Sequence, residues 1–220
     1  MRVGVIGPAL IGGVHIPRWQ AIEDATLVAG CDLDSDLAER IGREQGIRTY
    51  TNAESMLDAE ELDAISICAP AKTHFPLTKL AADRGMHVLC EKPMASNVED
   101  CRRMIAVCRE RGVTLMIGHT KRYVPMLTRL RELIDGELGS ADYVLHQYPD
   151  PGKSPRDWSW DDDNGGGPLL DNWVHATDVL CYLLGDVERV YAEGDNFFAR
   201  AASADRLRRR DAAVHVRRDR

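Results

Sequence analysis

Arg2-Val3-Gly4-Val5-Ile6-Gly7-Pro8-Ala9-Leu10-Ile11-Gly12-Gly13 is the stretch on which the fold turns. Residues 2–6 form a short apolar run of the type buried on both faces of a parallel sheet, and a helical stretch to about Ile22 follows the glycines. Strand, glycine turn and helix start together make a dinucleotide site. The turn is tight, the backbone must approach a pyrophosphate, and the helix N-terminus offers unpaired N–H groups to the anion. Gly7, Ala9, Leu10, Ile11 and Gly12 are the residues of that turn. Ala9 stands where the fingerprint has its middle glycine, and its methyl group sits at the closest approach. A plain strand-to-helix turn explains the same residues, so a second element has to decide.

That element is Thr26-Leu27-Val28-Ala29-Gly30-Cys31, a second strand ending in Asp32. The spacing is close to the roughly 20 residues at which a carboxylate accepts hydrogen bonds from the adenosine ribose. Such a carboxylate repels a 2′-phosphate, which favours NAD over NADP. The competing reading makes Asp32 a helix cap beside Asp34.

Alternation continues outward. Arg48 to Tyr50 reads as a short strand with a short helix over residues 53–58. Ala64 to Cys68 is a strand stopped by Ala69-Pro70, with a helix capped by Thr73 and containing His74 and Pro76 after it. His87 to Cys90 is the next strand, a helix runs from about Asn97 to Arg111, and Val113 to Ile117 completes roughly six βα units. The pattern predicts a doubly wound parallel sheet over residues 1–119. From residue 120 it changes: a helix over 124–135, a strand over Ala141 to Tyr148, a polar segment with Trp158 and Trp160, a helix from Asn172 to Leu184 and a strand from Val187 to Phe198. The fold expected is α/β, a Rossmann sheet followed by an incomplete α+β domain over 120–200 with a mostly antiparallel sheet. Residues 201–220 read as an irregular arginine-rich tail.

Composition bounds the function. The 220 residues carry a formal charge of −7, which argues against nucleic acid as a partner. Residues 206–220 hold seven arginines and two aspartates, a net of +5, so the body carries −12. No apolar run approaches the roughly 18 residues of a membrane helix, so neither a membrane nor a compartment other than the cytoplasm is expected. The cysteines at 31, 68, 90, 101, 108 and 181 contain no C-x-x-C pair and fall in apolar strand or helix patterns, which suggests reduced core thiols. Histidines 87, 119 and 146 lack ligand spacing, and no metal is predicted.

Glu91-Lys92-Pro93 follows the fifth strand, and Ser96 with Glu99 has the spacing of a capping box for the next helix. A lysine at a strand end of an open α/β sheet lies where such sheets collect ligands. Taken alone, a Lys-Pro in a turn reads first as a solvated surface lysine, and the rest of the sequence has to change that reading. Asp171 and His175, four apart at a helix start, project from one face. An imidazole titrates where a base for a hydroxyl proton is needed. The competing reading places His175 in the core beside Trp173, Val174 and Val179.

Taken together, these segments resemble the Gfo/Idh/MocA family of NAD(P)-dependent oxidoreductases. The likeness is carried by the glycine turn followed by His15, Cys68-Ala69-Pro70 to His74, and Gly85 to Pro93. It continues through Arg122 with Pro125, Gly136 to Gly139, and Gly165-Gly166-Gly167 to Asp171, His175 and Asp178. The resemblance implies oxidation of a hydroxyl of a sugar or cyclitol, or the reverse, with Lys92, Asp171 and His175 as catalytic residues. In that scheme His175 takes the proton, Asp171 orients the ring or the substrate, and Lys92 stabilises the developing alkoxide. Ala69, Pro70, His74, Glu91 and Lys92 join the cofactor site, with packing as the alternative for His74. Lys92, Asp171, His175, Arg122 and Trp158 line the substrate site, with packing again the alternative for Arg122 and Trp158. Asp178 is read as structural.

Family members continue through further strands, so the chain is expected to be truncated, with its last residues read out of frame; a basic arm for an acidic partner is the alternative. The family's homo-oligomer, built on that sheet, is then in doubt. Two rival functions follow: a dinucleotide-binding remnant without turnover, and a glycosidase that oxidises its sugar transiently through bound NAD.

Overall fold

The computed structural model describes residues 1–9, 11–139, 144, 169–193 and 213–217. They fall into two units, Met1–Gly118 and His119–Arg220.

The first unit is a six-stranded sheet built from β1 (Arg2–Ile6), β2 (Thr26–Cys31), β3 (Arg48–Tyr50), β4 (Ala64–Ile67), β5 (His87–Cys90) and β6 (Leu115–Ile117). The strand order is β3-β2-β1-β4-β5-β6, and every pairing is parallel. Helices α1 (Gly12–Gln20), α2 (Ser35–Gln45), α3 (Ala53–Ala59), α4 (His74–Ala82) and α5 (Val98–Arg111) make the crossovers. The twofold period of β1 assigns its faces. Val5 packs with Ile16 of α1 and Ile41 of α2, while Ile6 joins Met56 and Leu57 of α3, Ala81 of α4 and Met104 of α5. Because helices cover both faces, β4 reads Ala-Ile-Ser-Ile with all four residues buried. Full burial of each such Ile or Met stabilises the unit by about 1.5–3 kcal/mol. Order reverses between β1 and β4, and ligands of open α/β sheets bind outside the strand ends at that switch.

The helix ends correct two expectations. The N-cap of α5 is Asn97, whose side chain accepts from Asp100 N at 2.8 Å, and not Ser96. Asn97 has the extended backbone a cap requires, whereas the Ser96 hydroxyl is buried without a hydrogen-bond partner among the described residues. Thr73 stands at the N-cap of α4 but makes no side-chain cap: it ends a 3-10 turn, Ala71–Thr73, and its hydroxyl donates backward to Pro70 O at 2.7 Å.

The second unit, as described, contains a 3-10 turn at Thr120–Tyr123, α6 (Pro125–Asp135), a π turn at Leu169–Trp173 and α7 (Val174–Leu184). Strands β7 (Arg189–Glu193) and β8 (Ala213–Arg217) pair antiparallel. Arg131 of α6 donates to Leu183 O at 3.3 Å and to Tyr182 O, serving carbonyls that the end of α7 leaves orphaned. The tail expected to be irregular thus contains β8. Val214 and Val216 alternate there, a period that the surrounding arginines obscure in the sequence. The expected strand over 141–148 and the segment 194–198 lie outside the described residues, apart from Val144. No described helix is long and apolar enough to cross a membrane, and no metal-ligand cluster occurs among the described residues.

Candidate active site

The glycine turn follows β1 directly. Gly7 has φ 79°, a left-handed conformation open to glycine at little cost, and a Cβ there would lie 2.9 Å from Ala69 N. A Cβ on Gly12 would lie 2.2 Å from Gly7 O, so the start of α1 can sit this close to the turn only without a side chain. Ala9 is half-buried in the turn, its carbonyl accepting from Gly12 N at 2.8 Å; Leu10 lies outside the described residues. Ile11 is the N-cap of α1 and offers no capping side chain, and the first turn contains no acid. By contrast α2, α3 and α5 are capped by the side chains of Asp34, Asn52 and Asn97. The N–H groups of Gly12, Val14 and His15 are held by Ala9 O and Ile11 O, but no side chain caps α1 and no acid of its first turn offsets the positive dipole end, which suits the pyrophosphate of a dinucleotide.

Asp32 follows β2, and its Oδ1 accepts from Asp34 N at 3.1 Å. The capping role belongs to Asp34, whose Oδ1 accepts from Asp36 N and Leu37 N. The second Asp32 oxygen has no partner among the described residues and suits a ribose hydroxyl.

His74, placed from sequence in the cofactor site with packing as the alternative, is 1% exposed with both ring nitrogens on backbone carbonyls. Nε2 lies 2.7 Å from Ala69 O, and Nδ1 lies 3.0 Å from Pro93 O and 3.2 Å from Met94 O. Neither nitrogen is left for a ligand. The imidazole ties the segment after β4, with Ala69 and Pro70, to the segment carrying Lys92. Burial holds its pKa below the ordinary imidazole value, against the pull of the carbonyl hydrogen bonds.

Glu91 and Lys92 follow β5, and the Lys92-Pro93 peptide is cis. Glu91, assigned to the cofactor site from sequence, is 6% exposed and faces inward. Its Oε1 lies 2.9 Å from His15 Nε2, and its Oε2 accepts from Lys92 N at 3.0 Å. Burial pushes the Glu91 carboxyl up, but the hydrogen bonds from His15 and the Lys92 amide outweigh it and leave the pKa below the usual range. Lys92 itself is half-buried. Ser66 and Trp19 extend this cluster: Trp19 Nε1 donates to Ser66 Oγ at 2.7 Å, and Ser66 Oγ is 3.4 Å from His15 Nδ1. Sequence reasoning missed these two residues. Their signal was a serine inside an otherwise apolar strand and an indole four residues beyond a histidine on α1.

In the second unit, Asp171 lies in the π turn and His175 in the first turn of α7, both half-buried. The helix expected from Asn172 begins at Val174, and the four-residue spacing spans the junction. Single π turns inside helices recur at functional sites. Arg122, expected at the substrate, grips Asp178 through Nε, at 2.9 and 3.1 Å, and through Nη2. Asp178 is 8% exposed, as a structural carboxylate should be. Trp158 and Gly165 to Gly167 lie outside the described residues.

Comparison with known proteins places this geometry in a lineage. Residues 1–119 match the family described as "Oxidoreductase family, NAD-binding Rossmann fold", and residues 127–216 match the GFO/IDH/MocA C-terminal domain. Myo-inositol 2-dehydrogenase of Thermotoga maritima is 31% identical over 197 residues, covering 88% of this chain and 58% of that protein. D-apiose dehydrogenase of Paraburkholderia graminis is 33% identical over 199 residues, covering 86% of this chain and 51% of that protein. The chain thus spans a little over half the length of these relatives. The crystal structure of the WlbA dehydrogenase from Bordetella pertussis, in complex with NADH and UDP-GlcNAcA, superposes with a TM-score of 0.80 at 28% identity over 91% of this chain and 62% of that one. GenD2 from gentamicin A biosynthesis, in complex with NAD, gives 0.82 at 26% identity over 98% of this chain and 62% of its own. With one domain matched over 1–119 and the other over 127–216, the chain belongs to the GFO/IDH/MocA family of oxidoreductases, and its first unit is that family's NAD-binding Rossmann fold.

Proposed function

We propose that this chain is the nucleotide-binding and active-site portion of an NAD-dependent oxidoreductase acting on a secondary alcohol of a polyol, cyclitol or sugar. The observation that supports it most directly is the α1 N-terminus, uncapped and acid-free behind the Gly7 and Gly12 turn, with Asp32 at the end of the adjacent strand. The substrate class is supported by relatives named for myo-inositol and D-apiose.

Bound NAD⁺ would supply the hydride acceptor. The chain's own residues divide the remaining work. The α1 N-terminus and the glycine turn bind the pyrophosphate, and the Asp32 carboxylate takes the ribose hydroxyls. His175 accepts the hydroxyl proton at an imidazole nitrogen as the alcohol becomes a carbonyl. Asp171 orients the imidazole or the substrate, and the Lys92 ammonium stabilises the negative charge that develops on the alcohol oxygen. Arg122 acts through Asp178, holding α7 against the preceding 3-10 turn.

The test is a titration with NADH followed by nicotinamide fluorescence, then a screen of inositols, aldoses and alditols for NAD⁺ reduction. Saturable binding with reduction by at least one polyol is expected. Binding without reduction across the panel sinks the dehydrogenase reading.

A further inference from the structure

Beneath the Lys92 turn, a line of polar side chains crosses an interior that is otherwise apolar. Trp19 Nε1 donates to Ser66 Oγ, Ser66 meets His15 Nδ1, His15 Nε2 meets Glu91 Oε1, and Glu91 Oε2 accepts from Lys92 N. The His15 and Glu91 side chains are 13% and 8% exposed. The Glu91 carboxylate only accepts, so His15 Nε2 donates to it, while Ser66 Oγ accepts from Trp19 and lies 3.4 Å from His15 Nδ1. The Glu91 carboxylate thus accepts from both sides, from His15 Nε2 and from the backbone N–H of Lys92.

Such a line is costly to bury unless every member is paired. Apolar side chains would fill the space at least as stably, as Val5 and Ile16 do in the core cluster that Trp19 packs against. Stability alone does not account for it, but its two ends do. One is α1, whose N-terminus is the anion site, and the other is the turn carrying Lys92. The residue after β6 is close to this carboxylate as well: a Cβ on Gly118 would lie 3.1 Å from Glu91 Oε1, so a side chain there would crowd it.

We propose that His15 is a positioning residue for Lys92, acting through Glu91 to tie the Lys92 turn to the helix that receives the cofactor. The inference rests on the dinucleotide reading of α1 and on Lys92 as the cation of the reacting site. Its consequence is that the cofactor and the ammonium are held by one frame. An alcohol oxygen and a reacting cation misplaced by about 1 Å lose about a hundredfold in rate.

The full chain is compared with His15→Leu, His15→Gln and Glu91→Gln by two readouts. The first is amide hydrogen exchange of the peptide spanning residues 89–94. The second is kcat, on a polyol that the unaltered protein turns over, set beside the NADH Kd. In His15→Leu and Glu91→Gln, exchange at Lys92 speeds by about tenfold or more and kcat falls by at least about tenfold, with the NADH Kd held within about threefold. His15→Gln, which keeps an N–H donor, recovers part of both. Wild-type exchange and wild-type kcat in His15→Leu, or in Glu91→Gln should His15→Leu not fold, overturn the proposal. If no polyol is turned over even by the unaltered protein, it is the dehydrogenase reading that falls. The exchange comparison still decides the role of His15.

Discussion

Arg122 and Asp178 form a two-pronged ion pair that joins the 3-10 turn at Thr120–Tyr123 to the middle of α7. Asp178 lies three residues beyond His175, so the pair anchors the helix that presents the proposed base. Its side chains are 45% and 7% exposed, and the Asp178 carboxylate depends on Arg122 far more than the guanidinium depends on it. Arg122→Ala leaves a buried carboxylate with a poorer partner in His119, 3.8 Å away. A loss of about 2 kcal/mol is expected, below the 3–5 kcal/mol typical of a fully buried pair because Arg122 is nearly half exposed. Urea unfolding of Arg122→Ala against wild type measures it, and unchanged stability would show the pair to be incidental.

Gly12 and Ala9 predict opposite outcomes at the same turn. Gly12→Ala drives a methyl group into a backbone oxygen and must displace the start of α1. It should weaken NADH binding by about tenfold or more and destabilise the fold by about 1–3 kcal/mol, the range for overpacking. Ala9→Gly removes the methyl at the closest approach and should leave the NADH Kd equal or lower. Fluorescence titration reads both, and wild-type affinity in Gly12→Ala would count against the anion site.

Asp32 sets the cofactor preference in this account, by accepting from ribose hydroxyls and repelling a 2′-phosphate. Asp32→Ala should narrow the ratio of NADPH to NADH dissociation constants by about tenfold. A ratio that does not move would assign Asp32 only to the turn it makes with Asp34.

His74 gives a pH dependence whose sign is fixed. Burial depresses its pKa in the folded state below the ordinary imidazole value of about 6.5. The folded state therefore binds fewer protons at His74 than the unfolded one, and the stability tied to the neutral ring is complete above about pH 6.5 and lost as pH falls toward the folded pKa. Wild type should lose stability from about pH 6.5 downward. His74→Gln should be less stable at pH 7 but change less over that acid window. Parallel profiles for the two proteins would remove His74 as the titrating group.

Much of the first unit was legible in the sequence because its signals are local. β1, β2 and β5 announce themselves as apolar runs with the lengths found, and Gly7, Gly12 and Asp32 sit where strand geometry requires them. What failed was decided by tertiary context. Ser96 and Asn97 both fit a cap by spacing, and only the backbone at Asn97 chooses between them. For His74 the sequence left a place near the cofactor and plain packing both open, and carbonyls nineteen and five residues away, which no local pattern announces, claim both nitrogens. The pairing of His15 with Glu91 spans 76 residues of sequence and has no local signature. β8 was missed because two valines among arginines give too short a period to register.

Lys92 carries the central claim, that a cation at the end of β5 stabilises charge on the substrate oxygen and is not needed to bind the cofactor. The direct measurement is kcat and NADH Kd for Lys92→Met, on a polyol oxidised by the unaltered chain. The account predicts a kcat lower by about a hundredfold or more, the scale of losing one electrostatic stabiliser, with the Kd within about threefold. Turnover within a few-fold of wild type would contradict it.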